Sequence, residues 1–257
     1  MSDAIETALV IPARNEEAAL PAVLARIPAG ISHVVVVDNG STDKTAQVAA
    51  SFGASVVYEP LPGYGRACLA GLAFLRDAPP AIVAFVDADG SDDLSLFPQL
   101  LAPVLAGEAD FMLGRRVPVQ AGALSFQQRF GHLLATMLIR LFWGHRYRDL
   151  GPMRVIRWDA LERLAMRDTA FGWTVEMQVS AVRHGLRIGE LDVPYRRRSA
   201  GVSKISRTVS GTVQAGCTIL WVIARELVSE YGHRREREGR SREGAVTGDR
   251  SCMKSSD

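Results

Sequence analysis

The sequence predicts an α/β fold in which a mostly parallel central sheet is flanked by helices. In the first half of the chain, short apolar segments alternate with longer amphipathic ones, which is typical of repeated β–α units. The apolar segments are continuous, as expected for strands that are covered on both faces. Several end in charged or polar residues, and ligands of such sheets bind at the carboxyl ends of the strands.

The composition is that of an ordinary globular protein. The chain has 257 residues, of which 47% are hydrophobic and 23% charged, enough for one large domain or two small ones. A net charge of +2 does not indicate a nucleic-acid partner. Three widely separated cysteines, Cys68, Cys217 and Cys252, form no ligand pattern, and the acidic N-terminal segment has no apolar core. We therefore expect a cytoplasmic protein without a signal peptide.

The first half divides into strands and helices in regular order. Asn15 is the expected N-cap of the first helix, and Ser41 or Thr42 that of the second. The predicted strands are Thr7–Ile11, His33–Val37, Ser55–Tyr58, Ala81–Val86 and Asp110–Leu113. The predicted helices are Ala18–Ile27, Lys44–Phe52, a segment opened by Pro62–Arg66 that runs to Leu75, and Leu94–Ala106.

The second half contains longer helical patterns. Phe126–Trp143 carries many large apolar residues and two arginines, Arg129 and Arg140, and is too polar to span a membrane comfortably. It is either a core helix or an interfacial helix rimmed by arginines. A turn at 149–154, a strand at Val155–Ile156, a helix over Thr174–His184 and a strand over Arg187–Tyr195 follow.

The C-terminal region is predicted to begin with one more amphipathic helix, Val209–Glu230. Its apolar middle, Ala215–Ala224, is shorter than the roughly 20 residues that a membrane span needs. This helix therefore packs on the domain or lies on a bilayer. From Gly232 onward the charged, Gly- and Ser-containing sequence predicts disorder. The expected domains are 1–205, a helical segment 206–231 and a tail 232–257.

The main candidate site is the acidic segment that follows the Ala81–Val86 strand. Asp87 and Asp89 are two residues apart, so in extended backbone they point to the same side and can converge on one divalent cation. The alternative is an acidic turn that caps the next helix. Asp92 and Asp93 fit that second role, because they lie just ahead of the helix where carboxylates are favoured.

Basic residues cluster near the end of the predicted domain. Arg196, Arg197 and Arg198 are followed by Lys204. Such a cluster can bind phosphate groups, with arginine making bidentate contacts and lysine acting as a point charge. The alternative is a solvated basic face.

Taken together, these stretches resemble the family 2 glycosyltransferases of the GT-A fold, and within them the dolichyl-phosphate or polyprenyl-phosphate mannose synthase group. The resemblance covers roughly residues 7–210. It rests on the order and spacing of Val10–Glu17, Val37–Asp43, Gly63–Gly65, Asp87–Asp89, Gly114–Arg116, Asp149–Arg154, and Arg198 with Gly201–Lys204.

The resemblance implies roles for individual residues. A nucleotide-diphosphate sugar, GDP- or UDP-linked, would bind through Mg²⁺ or Mn²⁺ held by Asp87 and Asp89, with Ser91 near the same metal. Asp38 would hold the base or ribose. The implied substrate-binding residues are Pro12, Arg14, Glu16, Asp38, Gly65, Asp87, Ala88, Arg116 and Lys204, and the implied catalytic residues are Asp89, Arg198 and Asp149.

The resemblance also implies an inverting transfer to a polyprenyl phosphate by an enzyme bound peripherally to the inner membrane face. A phosphate acceptor is already anionic and needs no strong base. A hydroxyl acceptor, soluble or lipid-linked, is the alternative and would need a carboxylate base such as Asp149 or Glu176. The chain departs from the group's pattern at Asn39, where Asp is frequent, at Ser91, where Gln is frequent, and within Leu150–Arg154.

Overall fold

The computed structural model describes residues 6–120, 122–198 and 216–230. Seven strands and eight helices are assigned within these ranges. The strands are β1 Thr7–Ala13, β2 His33–Asp38, β3 Ser55–Tyr58, β4 Ile82–Phe85, β5 Phe111–Pro118, β6 Arg154–Arg157 and β7 Ile188–Tyr195. The helices are α1 Leu20–Leu24, α2 Thr45–Ser51, α3 Tyr64–Leu75, α4 Phe97–Leu105, α5 Phe126–Trp143, α6 Trp158–Leu164, α7 Trp173–Arg183 and α8 at 216–230.

The strands form one mixed sheet in the order β3-β2-β1-β4-β6-β5-β7. The β1–β2, β1–β4, β2–β3 and β5–β7 pairs are parallel, whereas β6 runs antiparallel to both of its neighbours. The mostly parallel α/β fold that the sequence predicts is therefore confirmed. The parallel strands β1, β2 and β4 lie side by side, so their carboxyl ends form one edge.

Helices cover the sheet on both faces and create two cores. Successive residues of β1 alternate between them: Ala8 and Val10 belong to one, Leu9 and Ile11 to the other. The first core also contains buried residues of α3, α5, α6, α7 and α8, and the second contains those of α1 and α4. Burial on both sides explains why the strands read as continuous apolar runs.

The predicted helix caps differ from the observed ones. Asn15 does not cap α1; its φ is 52°, and its Oδ1 accepts the backbone N–H of Thr42 at 2.7 Å. Ser41 and Thr42 do not cap α2; Asp43 Oδ1 instead accepts the Thr45 N–H at 3.0 Å. The Asn15 N–H donates to Ser41 Oγ at 2.9 Å. These polar side chains therefore join the turns after β1 and β2, a contact that helix-cap patterns do not anticipate.

Helix α5 has the predicted bounds, and it is buried on one side only. Ala135 and Ile139 are buried, while its opposite side exposes large apolar residues. α8 packs beside it, with Trp143 Nε1 donating to Glu230 Oε2 at 2.8 Å. We define the outer apolar face as the exposed residues of these two helices: Phe130, Leu133, Met137 and Leu141 of α5 with Leu220, Trp221 and Val228 of α8.

No helix in the described ranges is both long enough and apolar enough to cross a membrane. The predicted residues 209–215 of the last helix and the charged tail from Gly232 lie outside the described residues.

Two glycines in helices give opposite predictions for the same substitution. A Cβ at Gly71 of α3 would lie 2.6 Å from Val10 Cγ1, so Gly71→Ala overpacks the core and should destabilise the protein by about 1–3 kcal/mol. A Cβ at Gly131 of α5 would meet Ile219 Cδ1 at 3.5 Å, an ordinary contact. Gly131→Ala should therefore stabilise by about 0.5–1 kcal/mol through helix propensity. Urea unfolding of both variants measures the two changes in the free energy of unfolding. Changes of the same sign would contradict the packing around Gly71 and Gly131.

Candidate functional site

The candidate site lies at the edge formed by the carboxyl ends of β1, β2 and β4. Pro12 is the second-last residue of β1, Glu16 lies in the loop after that strand, and Asp38 is the last residue of β2. Asp38 is buried, and its Oδ1 accepts the Ser41 N–H at 2.9 Å. Arg14 is exposed on the same loop as Glu16. This edge therefore gathers the residues that follow the three strands.

The D-x-D segment follows β4 at the centre of this edge. Phe85, the last residue of β4, is buried in one core, whereas Val86 and Ala88 are buried in the other, and Asp89 lies in the turn that follows the strand. Burial and the charge of Asp89 raise the pKa of Asp87 to about 7, against the attraction of Arg116 and Arg198. Two crowded carboxylates of this kind favour a cation between them.

Ser91 orients Asp89. Asp89 Oδ1 accepts both the backbone N–H of Ser91 at 2.9 Å and its hydroxyl at 2.5 Å. The oxygen atoms of two carboxylates and a hydroxyl suit a hard divalent cation. Within the described ranges, however, no group of three or more His, Cys, Asp or Glu side chains could hold a metal by itself. The chain would fill only part of such a cation's coordination shell, and ligand oxygens or water would complete it.

Asp92 does not have the role that the sequence predicts. Asp93 alone caps the turn at Leu94–Leu96, where its Oδ1 accepts the Ser95 N–H at 3.1 Å. Asp92 is buried and forms a β-bridge with Tyr195, and neither of its carboxylate oxygens accepts a hydrogen bond of normal geometry from the described residues. Burial and the charges of Asp87 and Asp89 raise its pKa. The acidic segment therefore brings together buried Asp89 and Asp92 with half-buried Asp87, and uses Asp93 for the helix.

Arg198 extends from the segment after β7 to the carboxylates at the strand ends. Its guanidinium pairs with Glu16, and its Nη1 lies 3.3 Å from Asp89 Oδ2. Arg196 and Arg197 are exposed, although the Arg196 N–H donates to the Ser91 carbonyl at 3.0 Å. The basic cluster is therefore not only a solvated face, because one of its arginines enters the site. Lys204 lies outside the described residues.

A second group of polar residues joins β5, α5 and the loop before β6. Arg116 binds Asp149 in bidentate fashion, with Nε–Oδ2 and Nη2–Oδ1 distances of 2.8 and 2.9 Å. His132 Nε2 accepts from Arg116 Nη2 at 2.9 Å, and its Nδ1 lies 3.2 Å from Asp149 Oδ1. These contacts favour the neutral ring with a proton on Nδ1. Arg116 also lies 5.3 Å from the centre of the Tyr195 ring.

Both carboxylates that the sequence suggests as bases are already engaged by other residues. Burial opposes the charge of Asp149, but the ion pair and hydrogen bonds of Arg116 hold its pKa below the ordinary value. Glu176 is buried in α7, where it accepts two backbone N–H groups and pairs with Arg225 of α8. Glu176 therefore joins α7 to α8 in this structure, and its suggested role as a base stays a prediction.

Asn39 has a structural role that explains why an amide stands there. Its Nδ2 donates to the carbonyls of Glu59 and Leu61 at 3.1 and 2.7 Å, and its Oδ1 accepts the Gly63 N–H at 2.8 Å. A carboxylate cannot donate to those carbonyls. Asn39 thus fixes the segment between β3 and α3, and Gly65 is the second residue of α3.

Sequence reasoning missed His132, Tyr64 and Tyr195 as site residues. The Tyr64 ring is buried next to Asp87, and burial and that charge raise its pKa. Burial raises the pKa of Tyr195 to about 12. The alternation along β7 would have placed Tyr195 on the same side as buried Val193, whereas no spacing rule links His132 to Asp149.

Comparisons with known proteins agree on one family. The family model described as glycosyl transferase family 2 matches residues 8–165. An uncharacterized glycosyltransferase of Mycobacterium bovis is 44% identical over 207 residues, covering 80% of this chain and 93% of the relative. A dolichyl-phosphate hexose transferase of Haloferax volcanii is 30% identical over 210 residues, covering 80% and 89%. An undecaprenyl-phosphate mannosyltransferase of Micrococcus luteus is 29% identical over 237 residues, covering 84% and 94%.

Solved structures match the fold. Glucosyl-3-phosphoglycerate synthase from Mycobacterium tuberculosis, in complex with Mn²⁺, UDP-glucose and phosphoglyceric acid, superposes with a TM-score of 0.66. The match is 23% identical and covers 85% of this chain and 80% of that chain. It confirms the GT-A fold.

The environment of His132 predicts a pH dependence of stability. Burial and Arg116 lower its pKa from 6.5 to about 4, against the attraction of Asp149. The unfolded chain therefore binds the proton first, so this stability is complete above pH 6.5 and is lost as the pH falls towards 4. Between pH 6.5 and pH 5 the loss should be about 2 kcal/mol.

Urea unfolding at pH 7 and pH 5 measures this loss. His132→Asn should flatten the difference, whereas His184→Asn, at an exposed site, should leave it unchanged. An unchanged pH dependence in His132→Asn would contradict the buried neutral ring.

Proposed function

The chain belongs to glycosyl transferase family 2, and on that premise we propose that it transfers a hexose from a nucleotide-diphosphate sugar to a polyprenyl phosphate at a membrane surface. Membership makes it a glycosyltransferase. Three points are our proposal: the identity of the acceptor, the attachment of the protein to the cytoplasmic face of the inner membrane, and the roles of individual residues.

The observation that carries the proposal is the two-sidedness of α5. His132 faces inward to Arg116 and Asp149, whereas Leu133, the next residue, is 67% exposed on the outer apolar face. One helix therefore separates a site with phosphate-binding cations from a surface suited to lipid. A long-chain lipid phosphate has both chemistries, since its chain partitions into the bilayer and its head group is an anion.

The outer apolar face supports attachment at the membrane surface. Leu133 and Leu141 are 67% and 70% exposed, and the helix carries exposed Arg129 and Arg140. A helix with one apolar side and flanking cations lies in the interfacial plane of a bilayer, where arginines meet anionic head groups. The exposure of these residues favours the interfacial interpretation of α5 over the fully buried one.

The state of the carboxylates supports an anionic acceptor. A hydroxyl acceptor needs a base, but Asp149 is held by Arg116 and Glu176 is committed to α8 and its own loop. A phosphate oxygen needs no deprotonation near pH 7. Arg116 and Arg198 lie on the acceptor side of the D-x-D segment in this proposal, and Lys204 would extend the same cationic group.

The donor would bind along the strand-end edge. Pro12, Arg14, Glu16, Asp38 and Gly65 would surround the nucleoside, and Asp87 and Asp89 would hold Mg²⁺ or Mn²⁺ with Ser91 near the same ion. When bound, that cation neutralises the diphosphate and so stabilises the leaving group. The diphosphate would be fixed through the cation that these carboxylates hold, and Ala88 would contribute backbone contacts.

Transfer then requires one displacement. An oxygen of the acceptor phosphate forms a bond to the anomeric carbon as the bond from that carbon to the diphosphate oxygen breaks. The electron pair leaves with the nucleoside diphosphate, and the configuration at the anomeric carbon inverts. The arginines of the site stabilise negative charge on both the attacking and the leaving phosphates by position alone.

Removing one D-x-D carboxylate tests the donor site. Asp89→Asn should weaken binding of UDP or GDP with Mn²⁺ by on the order of 100-fold and abolish transfer, because a charged oxygen ligand is lost. Asp93→Asn is the matched control, since Asn also caps helices and Asp93 lies outside the proposed machinery. Isothermal titration calorimetry measures the affinities. Wild-type affinity in Asp89→Asn would refute the proposed metal role.

The acid stability of the product in this assay identifies the acceptor. Sugar transferred to a polyprenyl phosphate forms a phosphodiester, which mild acid hydrolyses. A product that survives the same treatment would show that the acceptor is a hydroxyl.

Charge on the outer apolar face should prevent membrane binding. The double variant Leu133→Glu, Leu141→Glu places two carboxylates where apolar groups would enter the bilayer, and should reduce co-sedimentation with phosphatidylglycerol vesicles at least tenfold. Phe52→Glu, at a residue that is 48% exposed at the end of α2, is the control. Equal loss of vesicle binding in both variants, or no loss in either, would contradict the assignment of the outer apolar face as the membrane-binding surface.

A further inference from the structure

The start of α3 is packed against a loop from the second half of the chain. The N–H groups of Gly65 and Arg66 donate to the carbonyls of Ala170 and Thr169 at 3.1 and 3.0 Å. A Cβ at Gly65 would lie 2.1 Å from the Asp168 carbonyl oxygen. We call residues 63–66 the donor segment and 167–170 the supporting loop. The two backbones are hydrogen-bonded and leave no room for a side chain at position 65. The supporting loop therefore sets the position of the donor segment.

Glu176 holds the supporting loop. Its Oε2 accepts the N–H groups of Arg167 and Asp168 at 3.1 and 2.7 Å, and the residue is 1% exposed. Asp168 Oδ1 accepts the Ala170 N–H at 2.9 Å, which closes the loop on itself. A buried carboxylate with two backbone donors is a strong local anchor.

The charge of Glu176 is balanced from α8. Arg225 Nη2 lies 2.5 Å from Glu176 Oε1, and the same guanidinium lies 4.8 Å from the centre of the Trp221 ring. Trp221 is 58% exposed and belongs to the outer apolar face. A continuous series of contacts therefore runs from that face through Arg225 and Glu176 to the donor segment.

We propose that Glu176 is a positioning residue for the donor segment and that Arg225 makes this position depend on the seating of α8. The proposal rests on the function proposed above, in which the donor segment borders the nucleotide. Asn39 ties Gly63 to the end of β2, so a shift of the segment changes the pocket beside Asp38. Without Arg225 the buried carboxylate must recruit water or a proton, and either weakens its hold on the Arg167 and Asp168 N–H groups.

Arg183 provides a matched control for Arg225. It lies on α7 and pairs with Glu226 and Glu230 of α8, so it joins the same two helices. Both arginines pair with Glu226, but only Arg225 also pairs with Glu176, the carboxylate that anchors the supporting loop. Loss of either arginine removes a salt bridge from the α7–α8 junction, but only loss of Arg225 should reach the donor segment.

The experiment compares Arg225→Gln, Arg225→Lys and Arg183→Gln in the full chain. We expect Arg225→Gln to weaken binding of UDP or GDP with Mn²⁺ about tenfold, as is usual for coupling between sites. Arg225→Lys should recover part of the affinity because it keeps the charge. Arg183→Gln should bind like the wild type even where its melting temperature falls as much. Hydrogen exchange should accelerate at the Gly65 and Arg66 amides only in Arg225→Gln.

The outcomes separate this inference from the proposed function. Wild-type affinity and exchange in Arg225→Gln, or equal weakening in Arg183→Gln, would overturn the inference and leave the proposed function standing. A wild-type protein that binds neither nucleotide diphosphate with Mn²⁺ would overturn both.

Discussion

The arrangement of the site depends on the crowding of three carboxyls that follow the end of β4. Asp87, Asp89 and Asp92 lie close enough for burial and mutual charge to raise the pKa of Asp87 and Asp92. Such a group is tolerated in a folded protein only when positive charge is brought to it. Arg116 of β5 and Arg198 after β7 supply that charge. Ion pairs at the strand-end edge therefore add to the apolar packing of the two cores.

This constraint explains what the second half of the sheet is for. β5 and β7 pair in parallel, and their Arg115 and Asp192 side chains form an ion pair on the exposed side. Arg116, the neighbour of Arg115, points the other way, into the site, and is fixed there by Asp149. Arg198 follows β7 and reaches Glu16 beyond β1, 182 residues away along the chain. Arg116 and Arg198 are therefore placed by ion pairs with Asp149, Glu16 and Asp89, whose side chains are largely buried.

The sequence predicted the parts of this structure that depend on local pattern. Continuous apolar runs placed the strands, and the acidic residues that follow the fourth run placed carboxylates at the carboxyl end of β4. What it could not predict are contacts between residues far apart in sequence. Asn39 accepts a hydrogen bond from the Gly63 N–H, and Glu176 forms an ion pair with Arg225. The sequence around Asn39 and Glu176 does not indicate either partner. The sequence suggests that Asp92 caps a helix because its neighbour Asp93 does. In the structure Asp92 instead forms a β-bridge with Tyr195.

Helix α5 shows why hydrophobic pattern alone could not separate a core helix from an interfacial one. The spacing of apolar residues is the same in a core helix and in an interfacial helix. Only the positions of the neighbouring elements determine which side of the helix is buried. Here Ala135 and Ile139, small and branched, face the core, whereas the large residues Leu133, Met137 and Leu141 face outward. A helix selected for stability alone would reverse that assignment, because burying large apolar side chains contributes most to folding. This arrangement is consistent with the membrane contact proposed above, and α8, which borders that face, is also the helix whose Arg225 pairs with Glu176.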